Sequence, residues 1–103
     1  MSSFYNFYVL YGDKLGFVDL ESISKIIQNR LCDKIIVFLS SEPHENIKKI
    51  LNDYPQIELR LASNPRKEAK KYKKLISTQN ANMTSVLYPL ETIADRSIWH
   101  DVC

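Results

Sequence analysis

Hydrophobic residues along the chain occur in two alternating patterns, short apolar runs and longer stretches with helical spacing. The short runs predict four strands, at residues 4–11, 34–40, 57–61 and 85–90. Apolar residues at helical spacing predict three helices, at residues 19–31, 41–54 and 64–76. The predicted order of elements is therefore β-α-β-α-β-α-β.

Polar residues at the start of each predicted helix are of the types that cap helix N-termini. Asp19 is the predicted N-cap of the first helix, and Ser41 or Glu42 that of the second. Asn64 precedes Pro65, whose fixed φ suits the first turn of the third helix. The predicted buried stripes include Ile50 in the second helix and Ala69, Tyr72, Leu75 and Ile76 in the third.

The character of each strand indicates its place in a sheet. Residues 34–40, KIIVFLS, form a continuous apolar run, which is typical of a parallel strand buried on both faces. Residues 57–61 alternate between apolar and polar, and Pro89 interrupts the last run, so both strands are expected near sheet edges. We predict a single α/β domain over residues 1–103. Its expected architecture is a compact three-layer Rossmann-like sandwich, with a four-stranded, mostly parallel sheet and helices on its faces.

The segment after the first strand has two interpretations. In one, Gly12 and Asp13 form a turn, and residues 15–18 return as the second strand of a hairpin. In the other, residues 13–18 are a loop that crosses the strand ends and leads into the first helix. The loop is favoured because short β-α connections suit the rest of the chain.

Composition narrows the class of protein. The chain has 103 residues, of which 45% are hydrophobic, enough for one core. It contains no apolar run of the ~18–20 residues that a membrane span requires. Its N-terminus lacks the basic region and cleavage site of a signal peptide, so we expect a cytoplasmic protein without membrane contact. Few glycines and many Ile, Lys and Asn residues are typical of AT-rich genomes, including those of viruses and phages.

Charge is concentrated in the third helix. Residues 66–74, RKEAKKYKK, hold six basic residues and one acidic residue, a net +5 in a chain of net +2, so the remainder is −3. Four basic residues share one arc of this helix, Lys67, Lys70, Lys71 and Lys74, and Arg66 and Lys73 flank it. Such an arc attracts the phosphates of nucleic acid, and the alternative is a solvated face that serves solubility.

Carboxylates are predicted at the sheet edge where parallel α/β proteins bind ligands, beyond the C-terminal ends of the strands. Asp13 follows the first strand, Glu42 the second and Asp95 the fourth. Together they form a candidate catalytic set, with Asp13 as the ligand of a divalent Mg or Mn ion that activates water for phosphodiester hydrolysis. His44, beside Glu42, is either a surface residue or an acid–base group.

Residues 7–20, FYVLYGDKLGFVDL, resemble the start of NYN/PIN-type nuclease domains, in which a hydrophobic strand ends in an aspartate closely followed by an asparagine. The order of elements is also similar. The resemblance implies a functional role for Asp13. In this chain Lys14 and Leu15 stand where the asparagine is expected, and the later acidic signature is reduced to Glu42 and Glu45.

Two functions remain open from the sequence. The first is a nucleic-acid-associated protein that binds the phosphate backbone, with or without metal-dependent cleavage. The second is a small interaction or regulatory factor, viral or phage in origin, that binds a protein partner or forms a homodimer without catalysis. In that case residues 4–11 are expected to be an edge strand open to pairing.

Overall fold

The computed structural model describes residues 5–28, 33–79, 83–90 and 93. Its helices and strands are β1 (Tyr5–Gly12), α1 (Phe17–Gln28), β2 (Lys34–Leu39), α2 (Glu45–Leu51), β3 (Ile57–Leu61), α3 (Pro65–Gln79) and β4 (Met83–Pro89). This order confirms the predicted β-α-β-α-β-α-β pattern. No helix within the described residues combines the length and apolar character that crossing a membrane requires.

The four strands form one all-parallel sheet in the order β3-β2-β1-β4. β1 lies in the interior of the sheet, where Leu10 is paired with Val37 of β2 on one side and Tyr88 of β4 on the other. The expectation of an exposed edge strand at residues 4–11 is therefore wrong. The aromatic and β-branched residues of β1 belong to a strand that is paired on both sides. β3 and β4 form the edges, as their alternation and Pro89 predicted.

Helices cover both faces of the sheet. α1 and α2 bury Ile23, Ile26 and Ile47 against one face, on which Leu10 and Val37 also lie. α3 covers the opposite face, where Ala69 and Ile76 pack against Phe7, Val9 and Ile36. This arrangement confirms the predicted three-layer α/β sandwich. It follows from the strand order, because the connection through α3 must return across the sheet from β3 to β4.

The connection between β1 and α1 is the loop, not the hairpin. Residues 13–16 carry no strand, and α1 begins at Phe17, two positions before the predicted N-cap Asp19. Asp19 lies in the first turn, where its Oδ2 atom accepts a hydrogen bond of 2.9 Å from the Gly16 amide. Asp19 therefore stabilises the helix start from the third helical position, as the N3 residue of a capping box does.

α2 begins at Glu45, later than predicted, because the residues before it bind the end of β1. The amide of Ser41 donates to the Asp13 carbonyl at 3.0 Å, which holds Ser41 outside the helix. The N-cap is His44, whose Nδ1 atom accepts a hydrogen bond of 3.1 Å from the Asn46 amide. The predicted N-caps Ser41 and Glu42 are therefore wrong. The role of His44 that the structure shows is to cap α2.

Two residues of the predicted buried stripes are exposed. Ile50 is 37% exposed and Leu75 is 51% exposed. α3 packs over β4, β1 and β2. A helix about 10–12 Å wide reaches over two to three strands spaced about 4.8 Å apart, so α3 leaves the β3 edge uncovered. Leu75 lies on the side of α3 that faces this uncovered edge.

Candidate functional site

An open cleft of about 420 Å³ lies at the C-terminal ends of β1 and β4. Its lining residues are Tyr11, Gly12, Asp13, Lys14, Asp19, Pro89 and Leu90. The strand order reverses between β1 and β4, because the chain leaves β1 toward β2 and later returns to the other side of β1. This is the switch point at which parallel α/β sheets bind ligands.

Asp13 lies in this cleft and is exposed to solvent. Its Oδ1 atom accepts a hydrogen bond of 3.1 Å from the Ser40 hydroxyl. Its main-chain carbonyl accepts from the Ser41 amide at 3.0 Å. Asp13 therefore ties the end of β1 to the end of β2, a structural role that does not require a ligand.

Of the other two predicted catalytic carboxylates, Glu42 does not line this cleft. Glu42 lines a separate groove between α2 and β3 and pairs with Lys48 at 3.3 Å. Asp95 lies outside the described residues. Among the described residues, the carboxylate that shares the cleft with Asp13 is Asp19, which was predicted only as a helix cap. The described residues contain no group of three His, Cys, Asp or Glu side chains arranged to hold a metal. A divalent metal at Asp13 stays a prediction.

Gly12 lets the end of β1 approach Leu90 closely. A Cβ atom at Gly12 would lie 2.8 Å from Leu90 Cδ1 and 3.2 Å from Leu90 Cβ. We expect Gly12→Ala to lower the free energy of unfolding by about 1–3 kcal/mol, because Leu90 is buried and must move. Gly16→Ala is the control, because among the described atoms its Cβ would meet Asp19 Oδ2 at 3.5 Å, an ordinary van der Waals distance. Denaturant unfolding measures both, and equal losses would contradict the close contact.

The basic residues of α3 form a second candidate site. All five predicted side chains are exposed: Arg66, Lys67, Lys70, Lys71 and Lys74. At about 3.6 residues per turn they fall within about 140° of the helix circumference. We call them the basic face. Ala69 and Ile76, which are buried in the core, lie on the other side of the helix.

Few acidic groups neutralise the basic face. Lys71 forms an ion pair of 3.8 Å with Glu68, and within the described residues the other four basic side chains form none. The helix start is capped by Asn64, whose Oδ1 atom accepts from the Lys67 amide at 3.2 Å. In the part of the chain that the structure describes, the basic face is therefore a cationic surface with one acidic group, Glu68, at its border.

This arrangement is unfavourable for the helix itself. Arg66 and Lys70 carry like charges and are four residues apart, and so are Lys70 and Lys74. Each such pair destabilises a helix by about 0.2–0.5 kcal/mol. Arg66 and Lys67 also lie in the first turn, where the helix dipole favours acidic residues. The basic face is therefore not explained by the stability of α3.

A groove of about 300 Å³ borders the basic face on the side of the uncovered β3 edge. Its lining residues are Phe38, Arg60, Glu68, Lys71, Tyr72 and Leu75. We call it the Arg60 groove. The guanidinium carbon of Arg60 lies over the Tyr72 ring, 4.8 Å from its centroid, and 6.0 Å from that of Phe38. The rings of Phe38 and Tyr72 pack against each other at 5.8 Å.

Glu58 holds Arg60 in position on β3. Its Oε2 atom accepts a hydrogen bond from Arg60 Nε, and its Oε1 atom pairs with Lys34 Nζ at 3.1 Å. Partial burial alone would raise the pKa of Glu58. The hydrogen bonds and charges of Arg60 and Lys34 outweigh burial and lower this pKa, so Glu58 stays ionised at neutral pH. Arg60 is not among the site residues predicted from the sequence, although the polar positions of IELRL indicate the strand face on which it lies.

No protein-family model, curated protein or solved structure matches the chain. These comparisons add no support to the resemblance of residues 7–20 to NYN/PIN-type nucleases. That resemblance depends on Asp13 and on the order of helices and strands alone.

Proposed function

We propose that the protein binds the phosphate backbone of nucleic acid through the basic face of α3. The observation that carries this proposal is the exposure of five cationic side chains on one arc of a helix, with one acidic partner among the residues that the structure describes. Lys and Arg bind phosphates by charge and release counterions from the nucleic acid. Contacts of this kind position the partner but do not read its sequence.

The distribution of charge favours this function over simple solubility. Residues 66–74 carry a net +5, whereas the remainder of the chain carries −3. A surface that serves solubility intersperses both signs, and a single-sign field steers a charged partner toward one face. The like-charge repulsion within α3 supports the same conclusion, because it is retained without benefit to the helix.

Fluorescence anisotropy with labelled 20-nucleotide RNA and DNA, as single strands and as duplexes, tests the proposal. We expect all four probes to bind at 50 mM salt, with affinities that fall steeply as salt rises. The absence of binding to every probe at 50 mM salt would overturn the proposal. A protein partner, the alternative function, would then be sought.

Cleavage is a separate part of the hypothesis and rests on Asp13. The same probes are incubated with Mn²⁺ and sized by denaturing electrophoresis. Shortened probe with the unmodified protein, and intact probe with Asp13→Ala, would support a nuclease. Intact probe in both samples would confine the function to binding.

A further inference from the structure

We propose that the Arg60 groove receives an unstacked base, so that the protein binds single strands in preference to duplexes. This inference rests on the proposed function and specifies its substrate class. The occupant is a base of the same strand whose phosphates lie on the basic face. Three features of the structure support this proposal. The groove lies open between α3 and β3, Arg60 is held within it over Tyr72, and Lys71 belongs both to the groove and to the basic face.

The groove exists because one helix cannot cover a four-stranded sheet. α3 packs over β4, β1 and β2, which leaves a gap between the helix and the edge strand β3. Arg60 of β3 and Phe38 of β2 line the sheet side of this gap, and Tyr72 and Leu75 line the helix side. At about 300 Å³ the groove is at the lower limit of ligand pockets.

Arg60 is the group best placed to contact a base. Its side chain is 45% exposed although it is held by Glu58 and lies over Tyr72. Guanidinium planes stack on unpaired bases in single-strand recognition, as aromatic rings do. Because Arg60 is already held by two partners in the free protein, little side-chain freedom is lost when a base stacks on it.

The groove and the basic face share Lys71. Around the circumference of α3, Lys71 is followed by Leu75 and Glu68, and then by Tyr72 at the edge of the core. A strand lying along the basic face therefore passes the mouth of the groove. The Glu68 carboxylate disfavours a phosphate at this point and accepts hydrogen bonds from base amino groups. Leu75, which is 51% exposed, offers an apolar contact to the base.

The test compares a single strand with the duplex of the same sequence in Arg60→Lys and Arg66→Lys proteins. Both substitutions keep the charge and remove a planar guanidinium. Arg66 lies on the basic face, so Arg66→Lys is the matched control. We expect the unmodified protein to prefer the single strand. Arg60→Lys should weaken single-strand binding about tenfold and leave duplex binding unchanged, and Arg66→Lys should leave the ratio of the two affinities unchanged.

The outcomes separate this inference from the proposed function. Equal affinity for strand and duplex, unaffected by Arg60→Lys, would overturn the groove as a base site and leave backbone binding intact. Absence of binding to both would overturn the proposed function. Leu75→Ser provides a second variant: loss of single-strand preference supports the inference. A change of oligomeric state with unchanged strand affinity would overturn the inference in favour of a protein contact.

Discussion

Replacing Lys70, Lys71 and Lys74 by Gln together is expected to weaken nucleic-acid binding about 10³-fold at 50 mM salt. Each phosphate contact contributes a salt exponent of about 0.7 for single strands and 0.9 for duplexes. Measured from a 1 M salt reference, loss of three contacts at 50 mM salt therefore corresponds to about 500-fold for a single strand and about 3,000-fold for a duplex. Anisotropy titrations with the probes described above measure this loss.

The same variant is not expected to lose folding stability. All three lysines are exposed, and Gln has a helix propensity close to that of Lys. The substitutions also remove like-charge pairs from α3, including Lys70 with Lys74, each of which destabilises the helix by about 0.2–0.5 kcal/mol. Thermal unfolding should show a midpoint equal to or above that of the unmodified protein. Loss of binding together with retained stability is the pattern expected of binding residues.

A matched control removes the same charge elsewhere. Lys25 lies on α1, and Lys48 and Lys49 lie on α2, on the opposite face of the sheet from α3. Replacing these three by Gln lowers the net charge equally, so it corrects for long-range attraction of a polyanion. We expect a loss below tenfold. If both triple variants lose the same affinity, binding depends on net charge and not on the basic face.

Leu10→Ala is expected to lower the free energy of unfolding by about 2–5 kcal/mol. Leu10 has no exposed surface and lies on the central strand β1. It belongs to the core cluster that joins α1 and α2 to the sheet. Removal of its side chain leaves a cavity that the paired strands on both sides prevent from closing. Because domains of this size are stable by only about 5–15 kcal/mol, a large fraction of the stability is lost.

Leu75→Ala is the control for Leu10→Ala, because it deletes the same atoms from a half-exposed position. We expect a loss below about 1 kcal/mol. Urea or guanidinium unfolding of both variants measures the difference. Similar losses for the two variants would contradict the placement of Leu75 beside an open groove.

The four strands were predictable from the sequence because each strand carries its own signal. Residues 34–39 are apolar at nearly every position, which only a strand covered on both faces requires. The polar positions of residues 57–61 and the presence of Pro89 indicated the two edges. The place of β1 was not predictable in the same way. Its neighbours depend on which way α3 returns across the sheet, and this is a property of the assembled layers.

Of the candidate sites, the basic face was predictable from the sequence, whereas the Arg60 groove and the pairing of Asp13 with Asp19 in the cleft were not. The five residues of the basic face were predictable, because helical spacing alone decides which side chains share an arc. The Arg60 groove was not, because helical spacing assigns Leu75 to the buried stripe. Its exposure arises from the limited width of α3 over a four-stranded sheet. The pairing of Asp13 with Asp19 in one cleft depends likewise on the course of the loop at residues 13–16.

The central claim, that the basic face of α3 binds phosphates, is tested most directly by the salt dependence of binding. The measurement is the slope of log affinity against log salt concentration for the unmodified protein and for the Lys70, Lys71 and Lys74 to Gln variant. We predict that the variant's slope is smaller in magnitude by about 2 for a single strand and about 3 for a duplex. Identical slopes in the two proteins would contradict the claim.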